Sequence, residues 1–555
     1  MSVGFHSAVD EERYRKLGLW SDETLIDHFT TVVQQFASKI AVIDTHGQYT
    51  YGDLYQAVGR LASVFANFGI EAGDVVAAQL PGWVELPVIH LACNVIGAIF
   101  LPIHDGWRET EAGHLLRKSQ AKAIMVPHCY RGFNYAAMID ELITKEEMTN
   151  LRLKMTIHGT TRGWQSWDIL MGQATPLTMK SDEKGNRLHS ANEPCMVIVS
   201  SGTTALPKMS IYTDNNFNAT LLRHFCETMK LGSDDVAGAI APPGTGGTGY
   251  VFPVLTPLLI GARVVMLERW ADPEDALRLM ATYHCTYATA IPSQMIKLML
   301  IPELGTRFNW EAFSRFNNAG APLPPEVAKE VEHQFGCRVH TVYGASDGGV
   351  PTMTSIDDPP EKRWGTVGRI LSGCECEVWD DQYHPLPQGE WGEVCWRTPE
   401  KSFGYLNDDN ETLRLFHNGW IQSGDIGVFD EDGYLRIVGR KKDMILRGGR
   451  NISARTVEEL LIVHPAVQDC AVAAMPDPVL GERACAFVVL NAGQNLTFEE
   501  MIGFLKDHRI AIWELPERLE IVDALPKSSM GKVKKAELTD YITKKLAQEQ
   551  STQSD

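Results

Sequence analysis

Three things are missing from this chain, and each absence narrows what it can be. There is no basic excess: 51 Lys and Arg stand against 70 Asp and Glu, a formal net charge of -19. A nucleic-acid binder needs a broad basic face, so that class is excluded as a partner. An anionic small ligand is not excluded, because local Lys and Arg can dominate a cleft. There is no membrane-spanning run. The longest apolar stretch, Leu86 to Ile103, is broken by Pro87, His90, Asn94 and Pro102, and reads as a buried helix followed by a strand. There is no cysteine framework. Of 11 cysteines the only close pair is Cys374 and Cys376, spaced C-x-C, with no second pair to complete a zinc set. They read as reduced thiols, mostly core, of a cytoplasmic protein. The opening MSVGFHSAVDEERYRK has no apolar h-region, so no secretory signal is expected. The closing QSTQSD is not a peroxisomal SKL signal.

What is present is the composition of an ordinary globular enzyme, 44% hydrophobic and 22% charged over 555 residues. That length allows two to four domains, or one large catalytic body with an appendage. The stretch Cys195 to Lys208, CMVIVSSGTTALPK, carries the first chemistry. Met196 to Val199 is a short apolar run that reads as a buried strand. It delivers Ser200, Ser201, Gly202, Thr203 and Thr204, with Lys208 just beyond. Such a loop suits a polyphosphate: glycine permits close backbone approach, amides and hydroxyls donate, and lysine adds a point charge. The GxxxxGK[ST] spacing is absent, so this is not a Walker A loop. Taken alone, the same residues would also serve as a surface connector.

Along the chain, residues 1–20 carry alternating charges and read as surface. Helical and strand patterns then alternate from Thr24 through Pro127, which predicts a parallel, doubly wound sheet. Residues 144–187 read as polar, irregular connection, and Ile211 to Lys230 as largely helical. A second glycine-rich loop, PPGTGGTGY at 242–250, either lines a pocket or is a flexible crossing. From Gly365 short strands parted by turn residues form a small antiparallel β unit. The charged run 439–443 reads as a linker to a compact α+β domain. The fold class is therefore α/β: a large N-terminal body, residues 1–439, followed by a small C-terminal domain, residues 440–555.

Six motifs stand in order: SSGTTALPK at 200–208, NAGAPL at 318–323, YGASD at 343–347, GWIQSGDIG at 419–427, GRKKDMILRGGRNIS at 439–453 and PKSSMGK at 526–532. In these the chain resembles the adenylate-forming superfamily of acyl- and aryl-CoA synthetases, peptide-synthetase adenylation domains and firefly-type luciferases, from about Leu25 to its last helix. The resemblance implies that a carboxylate attacks the α-phosphate of ATP, pyrophosphate leaves, and a thiol then displaces AMP. It implies that Ser200, Ser201, Gly202, Thr203, Thr204 and Lys208 hold phosphates. By the same resemblance Tyr343 would stack on adenine within the Tyr343-Gly344-Ala345-Ser346-Asp347 motif, and Gly320, Ala321 and Pro322 would wall the base. Asp347 would bind Mg²⁺, and Asp425 and Arg440 would hold the ribose. Lys532 would be the adenylation lysine. The small domain would be mobile about a hinge near 440–443, at Lys442, its rotation exchanging Lys532 for Leu446 to Asn451. Gly448 and Gly449 would then line the pantetheine tunnel. ATP, Mg²⁺ and coenzyme A are the implied cofactor and co-substrates. The implied partners are a small-molecule carboxylic acid and CoA; a homodimer is allowed.

The chain departs from the family pattern at several positions. Ala205 and Met209 stand where glycines are usual, and Ser346-Asp347 where Thr-Glu is usual. Asp347 is one carbon shorter, so Mg²⁺ must come closer or bind through water. No residue before Tyr250 in the loop 242–250 supplies the aromatic or His gate often found there, which together with Gly348 and Gly349 points to an open pocket entrance, with Tyr250 at the loop's end as the alternative gate. The expected walls of the acyl pocket, 241–252, 290–295 and 318–323, contain no charged residue, which favours a medium-chain, alicyclic or aromatic acid. Two alternatives are a ligase that loads a carrier protein and a degenerate nucleotide-binding non-enzyme. A luciferase-like oxygenase is a weaker third.

Overall fold

The computed structural model describes residues 6–145, 148, 150–177, 189–200, 206–448, 450–508, 510–527 and 533–553. The chain folds into two compact units. One comprises Met1–Leu323, Ala328–Cys376 and Trp396–Ile421; the other comprises Pro324–Val327, Glu377–Cys395 and Gln422–Asp555. Among the described residues no helix is long and apolar enough to cross a membrane.

The first unit is built on two mostly parallel sheets. Three adjacent strands of one, Val75–Gln79, Ile99–Ile103 and Ala123–Pro127, are buried at every position. Continuous burial of this kind requires cover on both faces, which crossover helices supply. One such helix, Tyr51–Asn67, is opened by a Thr50–Asp53 capping box and buries Leu54, Val58, Leu61 and Phe65 along one stripe. This sheet has the order Gln165–Ser166, Leu153–Ile157, Ala123–Pro127, Val75–Gln79, Ile99–Ile103, Pro194–Ser200, Lys208–Thr213, with only the last strand antiparallel. The other sheet has nine strands. Its six parallel members run in the order Arg338–Ala345, Arg315–Asn318, Tyr287–Ala290, Val236–Ala239, Arg263–Met266, Ile40–Ile43. Antiparallel strands close both edges. This is the doubly wound α/β body.

Four expectations need correction. The N-terminal segment is not simply surface: the helix Ala8–Lys16 precedes Leu19 and Trp20, and Tyr14, Leu19 and Trp20 pack with Ala219 in a buried cluster. Alternating charge hid a helix whose buried side is carried by a few large side chains. The stretch 144–187 contains the strand Leu153–Ile157, paired along its length with Ala123–Pro127, and the helix Trp167–Gln173. Leu153, Met155 and Ile157 are buried at period two, a signal diluted by the polar residues around them. Residues 208–213 are a strand, paired with Pro194–Ser200, and helix begins only at Asp214, behind a Thr213–Asn216 capping box. The glycine-rich loop is neither open nor slack. It winds into helix from Gly247, and a Cβ on Gly249 would lie 1.8 Å from the Pro242 carbonyl oxygen.

Downstream, Trp420–Phe429 pairs antiparallel with Phe416–His417 and with Leu435–Arg440, the small β unit that the turn residues predict. In the second unit, Val467–Asp477 and Gly481–Leu490 form a long antiparallel pair. Alternate residues feed two cores. Val472, Ala486 and Val488 face Val457, Leu461, Met501 and Leu505, whereas Ala471, Ala473 and Phe487 face Leu538 and Ile542. The sheet thus carries helices on both faces, the α+β domain that the strand and helix patterns predict. The strands Met444–Arg447, Arg450–Ser453 and Arg518–Ile521 also belong to it and were not foreseen. The first two make a hairpin too short for periodicity to register.

Candidate active site

Ser200 and Lys208 face each other across the antiparallel pair that ends the seven-stranded sheet. Ser201, Gly202, Thr203, Thr204 and Ala205, between them, lie outside the described residues, as do Gly449 and Lys532. The Lys208 Nζ is 2.7 Å from Glu411 Oε2 and 4.8 Å from the centre of the Tyr405 ring. The Tyr405 hydroxyl donates to the Asp347 carboxylate. Tyr405 therefore ties Lys208 to Asp347, and sequence reasoning missed it. Its hydroxyl is held far above its usual pKa by burial and by the neighbouring Asp347, so it remains a donor. The signal available was an aromatic residue in the FGY run that follows the strand Gly392–Arg397.

The segment 343–349 is held by its backbone. The Tyr343 ring meets Trp396 edge-on at 5.6 Å. The Tyr212 hydroxyl donates to the Ser346 carbonyl at 2.9 Å. A Cβ on Gly344 would lie 2.3 Å from the Gly349 carbonyl oxygen, so no other residue fits where the chain doubles back. Gly344→Ala is expected to displace Tyr343 and Asp347 together and weaken ATP binding by about tenfold or more; calorimetry would measure it.

Gly320, Ala321 and Pro322 form an exposed turn, with Gly320 at φ +86°. A Cβ on Gly320 would meet Thr248 Oγ1 at 3.3 Å and Ile291 Cγ2 at 3.4 Å. The three uncharged segments expected to wall an acyl pocket therefore converge on one glycine. Tyr250 is not a gate at their mouth. It is fully buried, its hydroxyl 2.9 Å from His90 Nδ1, with Phe100 stacked on the histidine. The turn of helix that begins at Gly247 carries Tyr250 into the core.

A separate cavity of about 310 Å³ is lined by Asp105, Arg108, Tyr130, Arg131, Phe133 and Tyr135, with two glycines. The Arg108 guanidinium lies 4.1 Å from the Phe133 ring centre and donates to the carbonyls of Asp105 and Trp107. The buried Tyr130 hydroxyl has no partner among the described residues. No motif marked this cavity, because its lining comes from two irregular turns.

In the second unit, Asp425 and Arg440 are cross-strand partners, with Arg440 Nε 2.7 Å from Asp425 Oδ1. The carboxylate is mostly buried and the guanidinium half exposed. Lys442 sits in the single turn Lys441–Asp443, beside Lys441, which is paired with Glu393 and Asp381. Gly448 is the turn of the hairpin that follows, at φ +56°.

The profile described as "AMP-binding enzyme" matches residues 29–406, and that described as "AMP-binding enzyme C-terminal domain" matches residues 456–532. The chain belongs to the AMP-binding enzyme family. It is 36% identical over 541 residues to a medium-chain fatty-acid–CoA ligase of Escherichia coli K12, covering 97% of this chain and 93% of that protein. It is 29% identical over 558 residues to a 2,3-dihydroxybenzoate-AMP ligase of Bacillus subtilis 168, covering 98% and 99%. An anthranilate CoA ligase solved with anthranoyl-AMP shares the fold, with TM-score 0.84 and 21% identity over 95% of this chain and 98% of that one. The chain is thus an adenylate-forming ligase by family. The family uses ATP and CoA, and the donors present suit them. Asp347 offers hard carboxylate oxygen of the kind Mg²⁺ takes alongside phosphate, and Lys208 offers the charge a polyphosphate needs.

Proposed function

We propose that this protein is an AMP-forming carboxylic acid–CoA ligase acting on an apolar medium-chain, alicyclic or aromatic acid. The convergence of three uncharged segments on Gly320 carries the choice of acid. A charged second group on the substrate would find no counter-ion there and would pay desolvation. Likeness to the medium-chain ligase over nearly its whole length supports CoA as acceptor.

In this reading Ser200 to Thr204 and Lys208 hold the β- and γ-phosphates, and Tyr343 and Gly320 to Pro322 hold the adenine. Asp425 and Arg440 take the ribose hydroxyls. Asp347 would hold Mg²⁺, which supplies charge neutralisation at the phosphates. Lys532 stabilises the charge that passes from carboxylate to α-phosphate as the acyl-adenylate forms. Residues 440–555 then turn about Lys442, removing Lys532 and bringing Gly448 and Gly449 to the thiol. The 310 Å³ cavity, with two guanidiniums and three aromatic rings around one carboxylate, is the place for the phosphorylated adenosine of CoA. Replacing both Arg108 and Arg131 by alanine is expected to raise KM for CoA about tenfold. KM for ATP and for the acid should stay unchanged in steady-state assays.

Release of AMP and pyrophosphate with ATP, Mg²⁺ and a panel of fatty, cyclohexane-carboxylic, benzoic and hydroxybenzoic acids tests the proposal, each acid with and without CoA. CoA-dependent turnover to a thioester is the expected result. Pyrophosphate exchange with no CoA product would instead favour a carrier-protein acceptor, the reading that likeness to the 2,3-dihydroxybenzoate-AMP ligase supports.

A further inference from the structure

Behind the segment 343–349 lies a buried group of side chains that the chemistry above does not use. His224, on the π-helical stretch Asn218–Phe225, has Nδ1 2.5 Å from Glu400 Oε1 and Nε2 3.0 Å from the Ser372 carbonyl. Cys374 lies 3.8 Å from the other Glu400 oxygen. The three side chains bring metal-type donors within 4.8 Å of one another. They do not suit a metal ion, because both nitrogens of His224 are already engaged. A carbonyl can only accept, so Nε2 carries hydrogen, and the close Nδ1 contact shares one further proton with Glu400. Burial pulls the imidazole pKa down, but the adjacent Glu400 and the Ser372 carbonyl more than offset this and leave it raised. The pair is an ionic pin inside the first unit, with Glu227 one turn along the helix and Tyr14 and Tyr212 near Glu400.

What the pin holds is the segment 396–402. Trp396 Nε1 and Thr398 Oγ1 donate to the Gly348 carbonyl at 2.8 and 3.1 Å, and Ser402 Oγ donates to the Asp347 carbonyl at 2.7 Å. Gly349, at φ +76°, packs so tightly on this segment that a Cβ would lie 2.8 Å from the Glu400 carbonyl carbon. The segment is tied down at its middle by three groups: Trp20 and Asn216 donate to the Pro399 carbonyl, and His224 meets the Glu400 side chain.

We infer that His224 and Glu400 are a positioning pair for Asp347: they fix the segment 396–402, which fixes the backbone from which the Asp347 carboxylate is presented to Mg²⁺. This rests on the reading of Asp347 given above. Glu400→Gln separates position from charge, since its amide can donate to Nδ1 of a neutral His224 and keep both of that ring's hydrogen bonds. Glu400→Ala and His224→Ala remove the pin. ATP affinity measured by calorimetry, with and without Mg²⁺, is the test.

Glu400→Ala and His224→Ala are expected to lose about tenfold or more in affinity with Mg²⁺ present, as loss of a supporting shell does, and little without it. Glu400→Gln should bind as wild type. A general loss of structure would weaken binding equally in both conditions and would overturn the inference, as would Glu400→Ala behaving as wild type or Glu400→Gln failing like Glu400→Ala. Glu400→Asp, which withdraws the carboxylate by one methylene, substitutes if the alanine variants do not fold, with the same result expected. Asp347→Ala is the control. If it leaves the Mg²⁺ dependence intact, the assignment of Asp347 itself is wrong; if it abolishes that dependence and Glu400→Ala does not change it, only the positioning role falls.

Discussion

Lys532→Ala is expected to slow acyl-adenylate formation by about 10²–10³-fold, the range seen when one fixed transition-state donor is removed. Thioester formation from supplied acyl-adenylate should be unchanged. The difference follows from where charge moves. In the first half-reaction the carboxylate gives up its negative charge as the α-phosphate passes through its most crowded and most highly charged state, and an ammonium group lowers that barrier. In the second half-reaction the thiol attacks a carbonyl that already carries AMP as its leaving group, the bond from acyl carbon to phosphate oxygen breaks as the thioester forms, and the α-phosphate is not attacked, so the lysine is not expected to be required. Lys527 and Val533 pair in an antiparallel bridge, Lys534 N–H donates to the Pro526 carbonyl at 2.8 Å, and Lys535 Nζ lies 2.8 Å from Glu458. Pyrophosphate exchange measures the first step and CoA-ester formation from synthetic acyl-adenylate the second. Equal losses in both would assign Lys532 a structural role and remove it from the chemistry.

How much of this was legible before the structure depends on the range of the signal. The alternation of helix and strand from Thr24 through Pro127 was readable, because buried parallel strands such as Ala123–Pro127 and a capped amphipathic helix such as Tyr51–Asn67 each announce themselves within their own length. The motif order also named Lys208, Asp347, Asp425 and Arg440. The pairing between these groups was not readable. Tyr405 reaches Asp347 across 58 positions of sequence, Glu411 reaches Lys208 across 203, and Glu400 reaches His224 across 176. No local pattern encodes such pairs, and a lone Tyr or Glu near a strand end is indistinguishable from surface. Tyr250 shows the converse limit. Read in line with its glycines it stood as an alternative gate, but the helix that starts at Gly247 rotates it onto His90.

Lys208→Ala is expected to lower kcat/KM for ATP by about 10–100-fold, the loss of one charge-assisted contact to a phosphate. Glu411→Gln is expected to act in the opposite direction. In the free protein Glu411 holds the Lys208 ammonium at 2.7 Å, and the same carboxylate pairs with Arg414 at 2.6 Å. Lys208 and Arg414 keep the Glu411 carboxyl below its ordinary pKa, so it stays ionised through the neutral range. A polyphosphate arriving at Lys208 must therefore compete with an existing partner. Both side chains are about a third exposed, 37% and 30%, so the pair is screened and weak, and removing it should lower KM for ATP by only about two- to fivefold. The gain should shrink as salt is raised, since ions screen the competing pair as well. The sign is the informative quantity. If Glu411→Gln instead weakens ATP, Glu411 aims the ammonium at the phosphate rather than competing with it. The double variant Lys208→Ala/Glu411→Gln tests whether Glu411 acts through Lys208 at all: a competitor has no effect once its lysine is gone, and neither does an aiming residue, so any residual loss would mean that Glu411 meets the nucleotide on its own account.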